Sequence, residues 1–522
     1  MEKQKKTPVF KSYDQSIQPL IPPSWDDFIS ENHIVRVVNT VIEKIQLNPL
    51  LEQYKGGGRA NYHPKMLLKL LVYGYLNNIY SSRQLEAFSN SNIHCMWLTA
   101  MSMPDHNTIN RFRSERLKHS LKQIFSEVVK LLVASGHVSL QDVYVDGTKI
   151  EANANRYTFV WGKSIKTNKD KIGQQLEELW KYAEQVAKDE LRQSVPADFK
   201  KVDAQMVKQT IETIDTALKE KQVEKKVKQK LQYGKKNWPG NLQKYEEQEK
   251  ILGNRNSYSK TDTDATFMRM KEDHMLNGQL KPAYNVQIST NDQIVVDYSI
   301  HQKPTDTTTL PSHISDMLDL YKNKPDNIIA DAGYGSEENY QFLNDRGINA
   351  YVKYNMFDKE RKKSWNRKPL STETLYYNKQ KDCYYCPMGQ PMHFLGTKNR
   401  KTANNYTQNV RLYQAVNCQG CPLMGACHKG QGQRVIEINE QLNEFRKQAE
   451  TLLTSERGIA FRKKRCFDVE PVFGNMKQNK HFTRFLLRGL KKVSVEMGLV
   501  CLAHNLKKAY KYGFNGPAPS MS

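Results

Sequence analysis

Asp146 and Asp331 stand in matching contexts. In YVDGTK and IIADAGYG each carboxylate closes an apolar, strand-like run and is followed by small residues that open a loop. Neighbouring strands lie about 4.8 Å apart, so two such ends direct their oxygens into a common space where hard carboxylates can hold a divalent cation. Glu470 supplies a third acid. It lies in CFDVEPVFGNMKQNKHFTRF, where Asp468 can cap a helix with Pro471 in its first turn, and Lys477, seven residues on, falls on the face of Glu470. In a basic chain this set suits two Mg²⁺ (or Mn²⁺) ions and phosphoryl transfer on nucleic acid, with Lys477 against a phosphate near the reacting bond. Asp262 and Asp264, in TDTDATFMRM, either join that site or serve as turn and capping residues that support it.

A second cluster of chemistry-bearing residues is sulfur. Five of the eight cysteines fall between 383 and 427, as Cys383-x2-Cys386, Cys418-x2-Cys421 and Cys427. Paired CxxC knuckles suit a tetrahedral structural Zn²⁺, and the interleaved Gly and Pro fit zinc-ribbon turns. Cys427 and His428 compete as a fourth ligand, and a metal-free knuckle or a redox-sensitive cluster are the other readings of the same spacing. Cys95, Cys466 and Cys501 lie among helical residues and read as ordinary thiols.

These residues sit in a chain of 522 with a formal charge of +24. Such a surplus points to a polyanionic partner, nucleic acid first. The longest apolar stretches are too short and too interrupted to span a bilayer, and the basic start has no apolar run behind it, which predicts a cytoplasmic protein without a membrane partner. The charge is uneven. Residues 163–250 carry a net of only +5, whereas 357–401 carry +7 and 456–512 carry +10. The last segment contains Glu470 and Lys477 together with Arg484, Arg488, Lys491 and Lys492, which are the expected phosphate contacts.

The elements that must position these groups follow from periodicity. After a polar leader (1–30), residues 31–136 read as a helical domain. One helix is predicted from Ile34 to Leu51, stopping before Gly56-Gly57-Gly58, a second from Pro64, a third from Ser81, and a long one capped by Asp105. Arg111, Arg113 and Arg116 lie on that long helix and could present it to DNA in the manner of a helix-turn-helix. Residues 137–162 begin an α/β core with the Asp146 strand near its end. Residues 163–255 read as a charged helical insertion with apolar stripes (Ile172, Leu176, Leu179, Trp180; Ile211, Ile214, Leu218). Residues 256–356 resume the core with a hairpin, Tyr284–Ile288 and Ile294–Tyr298 around a Ser-Thr-Asn-Asp turn, then the NIIA strand and a strand from Ala350 to Tyr354. A basic Cys-rich insertion (357–435), C-terminal helices bearing the third acid (436–512) and a tail (513–522) complete the chain.

Taken together, YVDGTKIEANANRYTFVWGK, TDTDATFMRMK, HQKPTDTTTL, IIADAGYGSEENY and VEPVFGNMKQNKHFTRFLLRG resemble the DDE transposases of bacterial insertion sequences, those of the IS1182 type in particular. The resemblance implies a multidomain α+β protein with an RNase H-like catalytic core and Asp146, Asp331 and Glu470 as its metal-binding triad. It further implies binding of terminal inverted repeats, cleavage at the ends, and joining of 3′-hydroxyls to target DNA by a dimer or larger assembly in the cytoplasm, at the nucleoid when bound. Related transposases often carry an Arg four residues before the third acid and a Tyr seven before it. Here Cys466 and Lys463 occupy those slots, with Arg465 and Arg462 beside them. A zinc-containing DNA-binding protein without catalysis, and a nuclease without strand transfer, are the competing readings.

Overall fold

Ten residues, Asp142–Glu151, form the strand (β1) around which the molecule is organised. Val143, Tyr144 and Val145 are all buried, so both faces of β1 are covered, as expected for a strand inside a mixed sheet. The computed structural model describes residues 24–54, 60–191, 198–270, 279–365 and 369–514. The leader up to residue 23, the triple glycine and the tail from residue 515 lie outside the described residues.

The main sheet adds Thr266–Arg269 (β2), Leu280–Asn291 (β3), Ile294–His301 (β4), Asn327–Ala330 (β5) and Asn349–Val352 (β6). Its order is β2-β3-β1-β5-β6, and β4 shares the outer edge of β3 with β2. β1 runs antiparallel to β3 and parallel to β5, which is in turn parallel to β6. The hairpin is tighter than its sequence suggests. The strands continue through Ser-Thr-Asn, leaving Asp292 and Gln293 as a two-residue turn with φ of 51° and 63°. Two positive φ values in succession give the turn whose twist matches that of the strands.

The last helix, Leu490–Lys511, is buried along most of its length and packs against both β4 and the N-terminal helix Pro64–Leu76. The N-terminal helices therefore share one core with the sheet. Two expectations there need correction. The single helix from Ile34 to Leu51 is divided into Ile34–Lys44 and Asn48–Leu51, because Pro49 has no N–H to donate to the carbonyl four residues back. The run after Asp105 starts as expected, with Asp105 accepting from the Thr108 N–H at 2.6 Å. It then breaks into His106–Arg111, a π-helical turn Phe112–Arg116, a 3₁₀ turn Leu117–His119 and the helix Leu121–Ala134.

Between β1 and β2 the described residues include the helices Gly162–Val186, Ala204–Ala217 and Lys225–Leu252. The seven apolar residues of the predicted stripes are buried here, with Leu231, Trp238 and Leu242, in a core of their own. A ribbon of Phe159–Trp161 and Ser257–Ser259 lets the chain leave and return at one point. A second, antiparallel sheet follows β6, made of Tyr376–Asn378 (β7), Cys383–Tyr385 (β8), Pro391–Lys401 (β9), Thr407–Ala415 (β10) and Val435–Ile438 (β11) in the order β11-β10-β9-β8-β7. The tip joining β9 and β10 returns to the helical elements flanking β5, where Asn404 Nδ2 donates to Thr308 O (3.2 Å) and Glu338 Oε1 (2.9 Å). The fold is thus a multidomain mixture of helix and sheet. No helix among the described residues is long and apolar enough to cross a membrane.

Candidate active site

Asp146 is in the middle of β1 rather than near its end. What ends beside it is β5, whose last registered pair with β1 is Val145–Ala330. The next residue on each chain is an acid, so Asp146 and Asp331 stand side by side at the mouth of the sheet, roughly one strand spacing (~4.8 Å) apart along the backbone. Asp331 caps the 3₁₀ turn Ala332–Tyr334, accepting from the Gly333 N–H at 2.9 Å. Glu470 comes from the C-terminal helices. The helix Glu456–Asp468 ends just before it, and a short helix, Glu470–Gly474, begins at it.

One side chain joins the three. Arg465 Nη1 lies 2.9 Å from Glu470 Oε1, and its Nη2 lies 3.4 Å from Asp146 Oδ1 and 3.9 Å from Asp331 Oδ2. The Arg465 side chain is 12 % exposed, while those of Asp331 and Glu470 are 40 % and 48 % exposed, so the cation is deep and two of its acids face outward. Among the described residues no three His, Cys, Asp or Glu side chains are gathered at metal-coordinating distances. The carboxylates are drawn onto a guanidinium instead. Cys466 and Lys463 are exposed, so the basic residue at the site is the neighbour of the expected slot.

Asp306, inside HQKPTDTTTL, is a fourth acid at this place that the sequence reading does not single out. Its Oδ1 accepts from Asn285 Nδ2 and Gln287 Nε2, both at 2.8 Å. A Cβ added at Gly147 would stand 2.7 Å from that oxygen and 2.3 Å from Gln287 Nε2, so glycine directly after Asp146 is a requirement of close approach. The Tyr334 hydroxyl donates to Gln287 Oε1. Burial holds that phenol well above its ordinary range, and Asp306, Asp146 and Asp331 around it push the same way against Arg465. The signal available in sequence was an acid between a strand and a helix, which is common and therefore uninformative alone.

Lys477 lies in a π-helical turn, Asn475–Asn479, and is buried. Its Nζ donates to Thr148 Oγ1 at 2.7 Å and to Lys149 O at 3.1 Å. Thr148 is two residues from Asp146 on β1 and so on the same face, which places Lys477 one pleat from the first acid.

Asp468 does not cap the Glu470 helix. It is the last residue of the preceding one, buried, and accepts from Thr290 Oγ1 (2.7 Å), Asp292 N (2.8 Å) and Gln293 N (3.2 Å). It thereby ties the helices carrying Arg465 and Glu470 to the β3–β4 turn. Asp468→Ala leaves three donors without their acceptor and is expected to lower stability by about 3 kcal/mol, read by denaturant unfolding. A change under ~1 kcal/mol would show that the tie is dispensable. Asp262 and Asp264 hold the other end of this region. Asp262, buried, accepts from Tyr284 Oη (2.9 Å) and Gly489 N (3.2 Å), and Asp264 accepts from Leu490 N (2.8 Å), so both support the start of the last helix.

The expected DNA contacts divide. Arg484, Arg488 and Lys491 are exposed. Their loop is stitched to the end of β1 by Phe485 N to Glu151 O (2.9 Å) and Arg488 Nε to Asn153 O (2.7 Å). Lys492 is paired with Glu115 at 2.7 Å. On the N-terminal helices Arg111 is exposed, and with Arg116 it lines an open groove of about 660 Å³ that also includes Tyr54, Asn61 and Tyr62. Arg113 must be withdrawn as a DNA contact. The π-helical turn points it inward, where it is 2 % exposed and donates to Tyr75 Oη (3.0 Å) and Tyr80 O (2.5 Å).

Of the five clustered cysteines, Cys386, Cys418, Cys421 and Cys427 line one small cavity and Cys383 does not.

Two family models match parts of the chain. Residues 385–510, which contain Arg465, Glu470 and Lys477, match the family model described as Transposase DDE domain, and residues 23–115 match that described as Transposase domain (DUF772). The chain thus carries two transposase domains, one of them of the DDE class. Its pairing of these two domains is the IS1182-like arrangement. No curated protein matches it.

Proposed function

We propose that the protein binds the terminal inverted repeats of its element and catalyses metal-dependent cleavage of the DNA ends and their transfer to target DNA. The observation that carries this reading is the convergence of Asp146, Asp331 and Glu470, from three separate parts of the chain, on a single positive charge. The strand order, with β1 antiparallel to β3 and parallel to β5, supports an RNase H-like core.

The donor set fits Mg²⁺ or Mn²⁺. It consists of carboxylate oxygens, it already satisfies a cation, and two of its members are half-exposed toward a ligand. Asp146, Asp331 and Glu470 would hold the ions, which when bound supply charge to the attacking and leaving oxygens of an in-line displacement. The chain's own groups do the rest. Arg465 orients the acids, Asp306 and Gln287 fix the Asp146–Gly147 backbone from below, and Lys477 stands one pleat away to meet a phosphate next to the reacting one.

DNA is brought in by the exposed cations. The loop bearing Arg484 and Arg488 meets β1 at Glu151, five residues or about 16 Å from Asp146 along the strand, within half a turn of duplex. Replacing Arg484, Arg488 and Lys491 together by Gln is expected to flatten the slope of log affinity against log salt by up to about 3. Lys492→Gln should change it little, since that charge is spent on Glu115. An unchanged slope in the triple variant would place the footprint elsewhere, the Arg111–Arg116 groove first. The reading as a whole is tested by incubating the protein with Mg²⁺ and DNA carrying the inverted repeats and scoring cleavage and joining. Cutting without joining would make it a nuclease, and binding without either would make it a scaffold.

A further inference from the structure

The sequence reading pairs Cys383 with Cys386 as a knuckle, but Cys383 lies in β8 and Cys386 immediately follows it. Three residues along an extended chain put two side chains on opposite faces, so these two thiols cannot close on one ion. The structure separates them accordingly. Cys383 is 2 % exposed, on the face of β8 that also carries Tyr385. Cys386 faces the other way, into a cavity of roughly 20 Å³ shared with Cys418, Cys421, Cys427, His428 and Arg434, a space the size of a single water or ion.

The backbone around this cavity is built of tight turns. Gly389 N donates back to Cys386 O (2.8 Å), Met424 N to Cys421 O (3.0 Å) and Cys427 N to Leu423 O (2.8 Å), with Gly389 and Gly420 at φ of 79° and 67°. Two N–H donors of Arg434 point at sulfur: its backbone N lies 3.3 Å from Cys418 Sγ, and its guanidinium Nη1 lies 2.9 Å from Cys427 Sγ.

Arg434 decides the charge question. It is 7 % exposed, and among the described residues its guanidinium otherwise donates only to the Leu370 carbonyl at 2.9 Å and pairs with no carboxylate. A buried guanidinium needs a compensating negative charge, and neutral thiols provide none. Four thiolates around a dication carry a net charge of −2, so a metal–sulfur centre supplies that charge and makes Arg434 its outer-shell donor.

We infer that Cys386, Cys418, Cys421 and Cys427 form a structural Zn²⁺ site, with Cys427 in the place that spacing alone assigns to Cys383. Among the described residues the four sulfurs are not gathered at coordinating distances, so the site requires their side chains to close on the cavity they line. The ion ties the segment between β10 and β11 to the end of β8. It thus stiffens a sheet whose opposite tip, at Asn404, rests on Thr308 beside Asp306. His428 is the rival ligand, because its Nε2 is engaged by Gly432 O at 2.8 Å while its buried Nδ1 has no partner. It does nothing for the charge of Arg434.

The test is the zinc content of the untagged full chain, which is independent of any DNA chemistry. We expect about one zinc per chain in the wild type, in Cys383→Ser and in Asp331→Asn, the last showing that the catalytic acids do not hold the counted ion. Cys418→Ser and Cys427→Ser should lose at least about tenfold of it, and Arg434→Met should weaken zinc binding by roughly 10- to 100-fold. Since serine variants can unfold the module, Co²⁺ loaded into the wild type gives a second reading, with charge-transfer and tetrahedral d–d bands of a four-thiolate centre. A wild type that carries neither zinc nor Co²⁺ overturns the site. Loss of zinc in Cys383→Ser or His428→Ala with retention in Cys427→Ser overturns the ligand assignment.

Discussion

Asp331→Ala is expected to remove both DNA end cleavage and strand transfer, by at least about a thousandfold, equivalent to ~4 kcal/mol of transition-state stabilisation. The size follows from where Asp331 stands. It is the acid next to Asp146 across the β1–β5 pair, whereas the nearby Asp306 is already engaged by Asn285 and Gln287. The folding cost should be small by comparison. The side chain is 40 % exposed and its hydrogen bond to the chain is the 2.9 Å one to Gly333 N, a cap worth about 1 kcal/mol. A variant with near-native thermal unfolding, unchanged DNA binding in the absence of divalent ions, and no cleavage or joining is the expected result. Activity within tenfold of wild type would sink the assignment of Asp331 to the chemistry, whatever the role of the rest of the fold.

Much of this site was legible because local pattern and tertiary position coincide. NIIA is a short apolar run between turn signals, and it forms β5 with Asp331 at its exit. The insertion was legible for the same reason, since its apolar stripes recur at helical spacing and have no other place to bury. What could not be read are the phase changes. Arg465 rather than Cys466 faces the acids because the helix stops at Asp468 and restarts at Glu470, with Pro471 unable to continue the hydrogen-bond ladder, so a count of four residues along a regular helix points to the wrong side chain. The π-helical turn at Phe112–Arg116 does the same to Arg113, and a strand in place of a knuckle does it to Cys383. The last two are changes of period with no residue-type signature, and Pro471 marks the first only as the start of a helix. Asp306 was hidden differently: it reaches the site through Asn285 and Gln287 of β3, contacts that exist only once the sheet is assembled.

Arg465 offers the second large effect. Its guanidinium is a counter-charge shared by Asp146, Asp331 and Glu470, and Arg465→Ala removes that charge from the mouth where they meet. Asp331 and Glu470 are nearly half exposed and can turn toward solvent, so the cost is set mainly by Asp146, whose side chain is 11 % exposed, and should be about 2 kcal/mol. Added Mg²⁺ should restore most of it. A ligand that binds only the native state stabilises in proportion to the logarithm of its concentration over its Kd, and in the wild type it has to displace a resident cation to do so. The Mg²⁺-induced rise in Tm is therefore expected to be larger in Arg465→Ala than in wild type, while cleavage falls by roughly a hundredfold because Glu470 loses its 2.9 Å anchor. Arg465→Lys keeps the charge without the two-nitrogen fork that spans Glu470 on one side and the aspartates on the other, and should recover the stability but little of the activity. A smaller Mg²⁺ response in Arg465→Ala than in wild type would mean that the guanidinium helps to build the cation site rather than competing for it.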